Sequence, residues 1–202
     1  ERSPPKNPPE QAIVIDALYS SLIQPLQQNP ALAIGVMSLI GLLVGSFLNV
    51  VIYRLPRMME IEWAHEAALA AAQASGQTVP DPEPFNLIRP RSRCGHCGHG
   101  ITARENIPVL SWLIQRGKCT ACGTGISVRY PLVEGISALL SGLAIAHFGF
   151  NAAGLGAMIL SLALLVLALI DFDTQLLPDS LTLPLLWLGL LFNLSGVYVP
   201  IS

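Results

Sequence analysis

The chain has 202 residues, 52% of them hydrophobic and only 12% charged, about half the charged share of an average soluble domain, and its mean hydropathy is +0.56. Such a composition excludes an ordinary soluble globule and points to an all-α integral membrane protein, a polytopic helical bundle whose lipid-facing surfaces are apolar. The 11 basic and 13 acidic side chains leave a net charge of -2, which offers nothing to a nucleic-acid partner.

Residues 1–30 read as an N-terminal tail. They hold six prolines, little periodicity and no initiator Met, and they lack the short apolar core and small-residue cleavage site of a secretory signal. Residues 31–53 form the expected first transmembrane helix, built on the uncharged run 31–50. Nine of the 11 Lys and Arg fall between Arg54 and Arg129, and none follow. Polar segments rich in Lys and Arg stay cytoplasmic, so residues 54–130 are expected to be a cytoplasmic loop domain and the tail to lie on the opposite side. Within that loop, residues 60–74 are Ala-rich and predict a short surface helix ending at Ser75-Gly76. Pro80, Pro82 and Pro84 forbid a regular continuation.

Residues 131–202 predict three further spans, at about 132–149, 152–170 and 181–199. Gly149-Phe150-Asn151 leaves room only for a tight helical hairpin between the first two. Counting crossings from a cytoplasmic loop puts residues 171–179 back on the cytoplasmic side. Gly35, Gly41 and Gly45 in the first span, with Ser137, Ser141 and Gly142 in the second, are the small residues that let transmembrane backbones approach closely.

The four cysteines form two C-x-x-C pairs, Cys94/Cys97 and Cys119/Cys122. Two such knuckles at this separation suit a structural zinc ion held by four thiolates. Gly98 and Gly123 follow the second cysteine of each pair, where a tight turn aims backbone amides at sulfur. Two disulfides, a redox dithiol, iron in place of zinc, or His96 or His99 replacing a thiolate are the competing readings. A cytoplasmic loop disfavours disulfides, and His96 and His99 read more simply as solvated surface residues. A closed four-thiolate site keeps no open position for water, so the metal is expected to staple the loop rather than act as a Lewis acid.

Asp171, Asp173 and Asp179 lie between two long uncharged runs, 152–170 and 180–202. Ionisable groups at a span boundary default to a functional hypothesis. Asp179 precedes the last span and is expected to be its N-cap or first-turn acid; Asp173 reads as a solvated or locally hydrogen-bonded carboxylate. Asp171, ending a span, is a candidate half of an aspartyl dyad, whose chemistry needs two carboxylates sharing a proton.

These residues carry a family resemblance. Residues 41–51 with Arg54-Leu55-Pro56, the tetracysteine loop, residues 104–108, residues 129–134, and Asp171 with residues 176–179 and 182–184 together resemble the bacterial type IV prepilin leader peptidases. The resemblance implies a multi-pass protein of the bacterial inner membrane that cleaves the leader of type IV prepilins and type II secretion pseudopilins and then N-methylates the new terminal residue. It implies Asp171 as the catalytic aspartate of this stretch, prepilin and pseudopilin substrates, and S-adenosyl-L-methionine as methyl donor. The family's second aspartate lies in a Gly-x-Gly-Asp motif on a later span, and no such motif occurs here. The missing Met and the end at Ser202 read as a fragment, expected to lack peptidase activity alone. Glu60, Arg104, Glu105 and Asn106 are candidates for the methyl-donor site by position only, since no glycine-rich dinucleotide fingerprint is present. Glu60, Glu62, Glu66, Asp81 and Glu83 are placed to attract a basic leader, although a solvated face is the more ordinary reading. The alternative function is a noncatalytic zinc-loop membrane adaptor.

Overall fold

The computed structural model describes residues 19–198, apart from the side chains at 74 and 75. The first 18 residues of the expected tail lie outside the described residues. A π-helical turn (Tyr19–Ile23) and α1 (Gln24–Gln28) lead into α2 (Pro30–Ser75). A 3₁₀ turn (Ala103–Asn106) and α3 (Leu110–Ile114) sit in the loop, followed by α4 (Arg129–Phe148), α5 (Ala152–Thr174) and α6 (Asp179–Leu194). Among the described residues the only β pairing is two isolated bridges.

Local chemistry explains these limits. Asn29 caps α2, its Oδ1 accepting the Leu32 N–H at 3.1 Å, and Pro30 occupies the first turn, where its missing N–H does no harm. α2 then runs 46 residues without the break expected near residue 53. The separate surface helix expected at residues 60–74 is the distal half of this one helix. Pro56 lies inside it; it removes one intrahelical donor, but strong helix formers follow without another Gly or Pro until Gly76. The part beyond residue 52 extends about 34 Å at the usual rise. Gly76, at φ 68°, closes the helix by donating its N–H to the Ala72 carbonyl. At the α4–α5 hairpin Asn151 Oδ1 accepts the Gly154 N–H at 3.0 Å, and Asn151 Nδ2 donates to the Phe148 carbonyl at 2.6 Å.

Among the described residues three helices are long and apolar enough to cross a membrane, within Pro30–Gln73, Arg129–Phe148 and Ala152–Thr174. The fourth span expected at 181–199 is instead the 16-residue α6, about 24 Å long against a hydrocarbon core of about 30 Å. Its chain turns at Gly196, φ 71°.

α2 and α4 pack antiparallel along a seam of small residues. A Cβ on Gly41 would lie 2.6 Å from Ser141 Cβ, and one on Gly45 would lie 2.8 Å from both the Glu134 Cα and the Ser137 Cβ. Gly142 faces Ser38 in the same way. Gly35, expected in the same role, would have a Cβ with nothing within 4 Å among the described residues. Ser137 and Ser141 are fully buried, and their hydroxyls donate to the carbonyls four residues back, at 2.8 and 2.7 Å. That satisfies them without partners across the seam. Two apolar clusters complete the bundle. One joins Ala33 and Met37 to Ala144, Ile145, Met158 and Leu162, with Leu26 of α1 packed against it. The other joins Val51 and Ile52 to Val133, Val166 and Ile170, with Leu87, Leu176 and Leu181 against it. The second cluster lies at the bundle end from which the cysteine loop emerges.

Candidate functional site

The two cysteine knuckles are built alike. The Cys94 N–H donates to the His99 carbonyl at 2.8 Å and the Gly98 N–H to the Cys94 carbonyl at 3.0 Å. In the second knuckle the Cys119 N–H donates to the Thr124 carbonyl at 2.8 Å and the Gly123 N–H to the Cys119 carbonyl at 2.9 Å. Bridges Arg93–Gly100 and Lys118–Gly125 close the two loops. Gly98 and Gly123 both adopt φ 73°, the left-handed conformation that favours glycine. All four Sγ atoms lie within 4.8 Å of one another, no disulfide joins them, and Cys94 and Cys122 Sγ are 3.8 Å apart. A tetrahedron of sulfurs about 2.3 Å from zinc has an edge of about 3.8 Å, so the thiols fit a single ion. Hydrogen bonds from Thr124 hold the Cys122 thiol down to about 5, and the backbone amides of Cys97 and His96 lower that of Cys94. Both effects favour the thiolate form that binds metal, whereas Cys97, despite a lowering backbone hydrogen bond at His99, is pushed up to about 11 chiefly by the neighbouring Cys122 thiol.

Glu105 ties the two knuckles together. Its Oε2 accepts both the N–H and the hydroxyl of Thr102 at 2.8 Å. Its Oε1 meets His99 Nε2 at 3.2 Å and accepts a short hydrogen bond from the Thr120 hydroxyl. The Thr120 hydroxyl, then the amide and hydroxyl of Thr102, hold its carboxyl at about 2. His99 is thus a strut between knuckles and stands outside the four-sulfur cluster. Trp112 Nε1 donates to the Ile126 carbonyl at 3.1 Å, and its ring lies so close to Gly117 that a Cβ there would meet it at 2.8 Å.

Three buried polar side chains fasten this loop to the bundle. Glu134 on α4 is 7% exposed and accepts the Val109 N–H at 2.7 Å. Val109 sits at φ 59°, unusual for a β-branched residue and held by its surroundings. Asn49 Nδ2 donates to the Tyr130 carbonyl at 3.2 Å. Arg54 donates to the Asn86 carbonyl at 2.8 Å and the Pro90 carbonyl at 2.6 Å.

The three aspartates divide as follows. Asp171 is in the last turn of α5, directly after the fully buried Ile170. Gln175 at φ 56° ends the helix, and its N–H and Nε2 both donate to the Asp171 carbonyl oxygen, at 2.9 and 2.8 Å. Asp171 is half-buried, and among the described residues no hydrogen bond or ion pair engages its carboxylate. Asp173 forms a bidentate ion pair with Arg129, at 2.9 and 2.6 Å, joining the start of α4 to the end of α5. Asp179 is the first residue of α6 and complements its N-terminus as a first-turn acid; no backbone amide caps onto its side chain.

Sequence reasoning named the cysteines and Asp171 but passed over the Arg129–Asp173 pair, the Arg54 staple and the Glu105 hub. Only the last had a readable local signal, the T-x-x-E spacing of a capping box in residues 102–105.

Comparison with known proteins places this geometry. Residues 39–148 match the Bacterial Peptidase A24 N-terminal domain, and residues 158–202 match the Type IV leader peptidase family. The chain belongs to the bacterial peptidase A24, type IV leader peptidase, family. It is 49% identical over 180 residues to a prepilin leader peptidase/N-methyltransferase of Stutzerimonas stutzeri, covering 88% of this chain and 60% of the relative. It is 51% identical to one from Pseudomonas putida (87% and 60%) and 48% identical to one from Neisseria gonorrhoeae (84% and 59%). The chain therefore spans about three fifths of the length of these curated relatives. No solved structure matches it.

Proposed function

We propose that the protein carrying this chain is a prepilin leader peptidase and N-methyltransferase of the bacterial inner membrane, acting on type IV prepilins and type II secretion pseudopilins. The observation that carries this reading is Asp171. It closes a membrane-spanning helix in a chain of this family, and the residue is half-buried with its carboxylate unengaged among the described residues, whereas Asp173 is committed to Arg129. A carboxylate left free at the membrane boundary suits general acid and base work at the junction between a prepilin's polar leader and its apolar helix.

In this account Asp171 shares a proton and a water with a second aspartate supplied by a part of the protein beyond this chain. One carboxylate takes the water's proton as it attacks the scissile carbonyl, and the other protonates the leaving amine. Cleavage falls on the cytoplasmic side, which the Lys and Arg bias of residues 54–129 favours. Cys94, Cys97, Cys119 and Cys122 hold one structural zinc ion that sets the loop's fold. S-adenosyl-L-methionine supplies the methyl group. Glu105 does not fit a role in holding it, because Thr102, Thr120 and His99 already occupy both carboxylate oxygens. The methyl-donor pocket is sought elsewhere.

The test is direct. Intact protein incubated with a prepilin and S-adenosyl-L-methionine should release the leader and leave a mature pilin one methyl group heavier by mass spectrometry. Unprocessed prepilin, with the protein folded and metal-loaded, would defeat the reading.

A further inference from the structure

Residues 85–93 link the proline-rich stretch to the first knuckle, and they are moored to the membrane end of the bundle. Arg54, itself buried at 8% exposure, donates to the Asn86 and Pro90 carbonyls and lies 5.7 Å over the Phe85 ring. Asn86 Oδ1 accepts the N–H groups of Ile88 and Arg89, each at 2.8 Å, folding the segment into a tight turn. Leu87 packs onto the apolar cluster of Val51, Val133, Val166 and Ile170. Its neighbour Ile88 stands 81% exposed. The segment therefore lies against the ends of the candidate spanning helices, beside Val51, Ile52 and Arg54.

Arg89, Arg91 and Arg93, at alternate positions, line one open cleft of about 460 Å³ together with Glu83, Pro84, Phe85 and Pro90. All three arginines are exposed. Among the described residues none of their guanidinium groups makes an ion pair or hydrogen bond, and Glu83, the one carboxylate lining the cleft, is not within ion-pair distance of them. Three unpaired cations lining one cleft beside a turn with an exposed Ile88 are poorly explained by the fold, which gains nothing from bringing like charges together.

We propose that this cleft binds the phosphate of an anionic phospholipid headgroup, at the same bundle end as Asp171. The guanidinium fork matches phosphate oxygens bidentately, Ile88 reaches the acyl region, and Arg54 holds the turn in place. A basic peptide leader is repelled by this charge, so the site is distinct from the cleavage site and does not depend on the peptidase reading. Each Arg close to an anionic membrane surface is worth roughly a fivefold gain in affinity, so neutralising all three should weaken lipid binding by about a hundredfold.

The experiment titrates phosphatidylglycerol, phosphatidylcholine or inorganic phosphate into the intact protein in neutral detergent, with bound lipid read by native mass spectrometry. Wild type is expected to retain phosphatidylglycerol over phosphatidylcholine, and excess inorganic phosphate should fail to displace it because it lacks acyl chains. Arg89→Gln/Arg91→Gln/Arg93→Gln should lose the preference, while the corresponding triple Lys variant keeps part of it, with zinc content unchanged in both. Should the triple Gln variant lose its metal, Arg91→Gln alone decides, with a loss of about fivefold expected. Undiminished phosphatidylglycerol retention by the Gln variants would overturn the proposal. So would full displacement by inorganic phosphate, which marks a site for soluble phosphate, or retention lost only for an added acidic peptide, which marks a protein-docking site.

Discussion

Gly45→Ala probes the seam on which the site is mounted. A methyl at Gly45 meets the Glu134 Cα and Ser137 Cβ at 2.8 Å, and the first of these is backbone, so no rotamer change relieves it. Ordinary contact begins about 0.6 Å further out, and α2 and α4 must separate by that order. Overpacking of this kind costs about 1–3 kcal/mol, partly offset by alanine's helix preference of up to about 1 kcal/mol. The net expectation is a loss of about 0.5–2 kcal/mol in reversible unfolding of the detergent-solubilised protein. Gly35→Ala is the internal control, with nothing within 4 Å of its new methyl, and it should be neutral or stabilising. Because the Glu134 carboxylate holds the Val109 N–H at 2.7 Å, Gly45→Ala should also loosen the cysteine loop and speed zinc loss to a chelator. Equal stability changes for the two variants would refute the close-packed seam.

Purified protein should carry about one zinc per chain by metal analysis, and a chelator should unfold the loop while leaving the helical circular dichroism largely intact; protein that retains no metal would defeat the four-cysteine assignment. The Glu105 carboxyl titrates near 2 when folded against an ordinary value of 4.5. Its stabilisation is therefore complete above pH about 4.5 and lost as pH falls toward about 2. The stability gap between wild type and Glu105→Gln, followed by loop unfolding at stepped pH, should close over that window, and a gap that widens with acid contradicts the hub. Arg129→Asp should lower prepilin cleavage by the intact protein by displacing the end of α5, and adding Asp173→Arg should restore part of it; failure of the reversed pair to improve on the single variant argues against the clamp. The pair's stability contribution is small, because both side chains are about a third exposed and solvent screens them.

What was legible in the sequence follows from how locally each feature is encoded. The cysteine knuckles are set by spacing and by two glycines, so they emerge almost complete. Gly41, Gly45, Ser137 and Ser141 announce a seam by their size alone, although Gly35 shows that size does not reveal which face meets a partner. The break expected after the first span failed because charge marks the membrane boundary without ending a helix, and the Ala-rich stretch after Pro56 propagates α2 regardless. α6 is shorter than its apolar run, since Gly196 turns the chain within apolar sequence. The least legible features join distant residues. Arg129 and Asp173 are 44 positions apart, and Arg54 is bound to backbone carbonyls that carry no sequence signature.

The central claim rests on Asp171, and one substitution addresses it. Asp171→Asn in the intact protein preserves shape and removes the titrating carboxylate, so prepilin cleavage should fall by several orders of magnitude while expression, zinc content and thermal midpoint persist. Asp173→Asn and Asp179→Asn, measured beside it, should each retain substantial cleavage. Normal leader removal by Asp171→Asn would contradict the assignment of this residue to the chemistry.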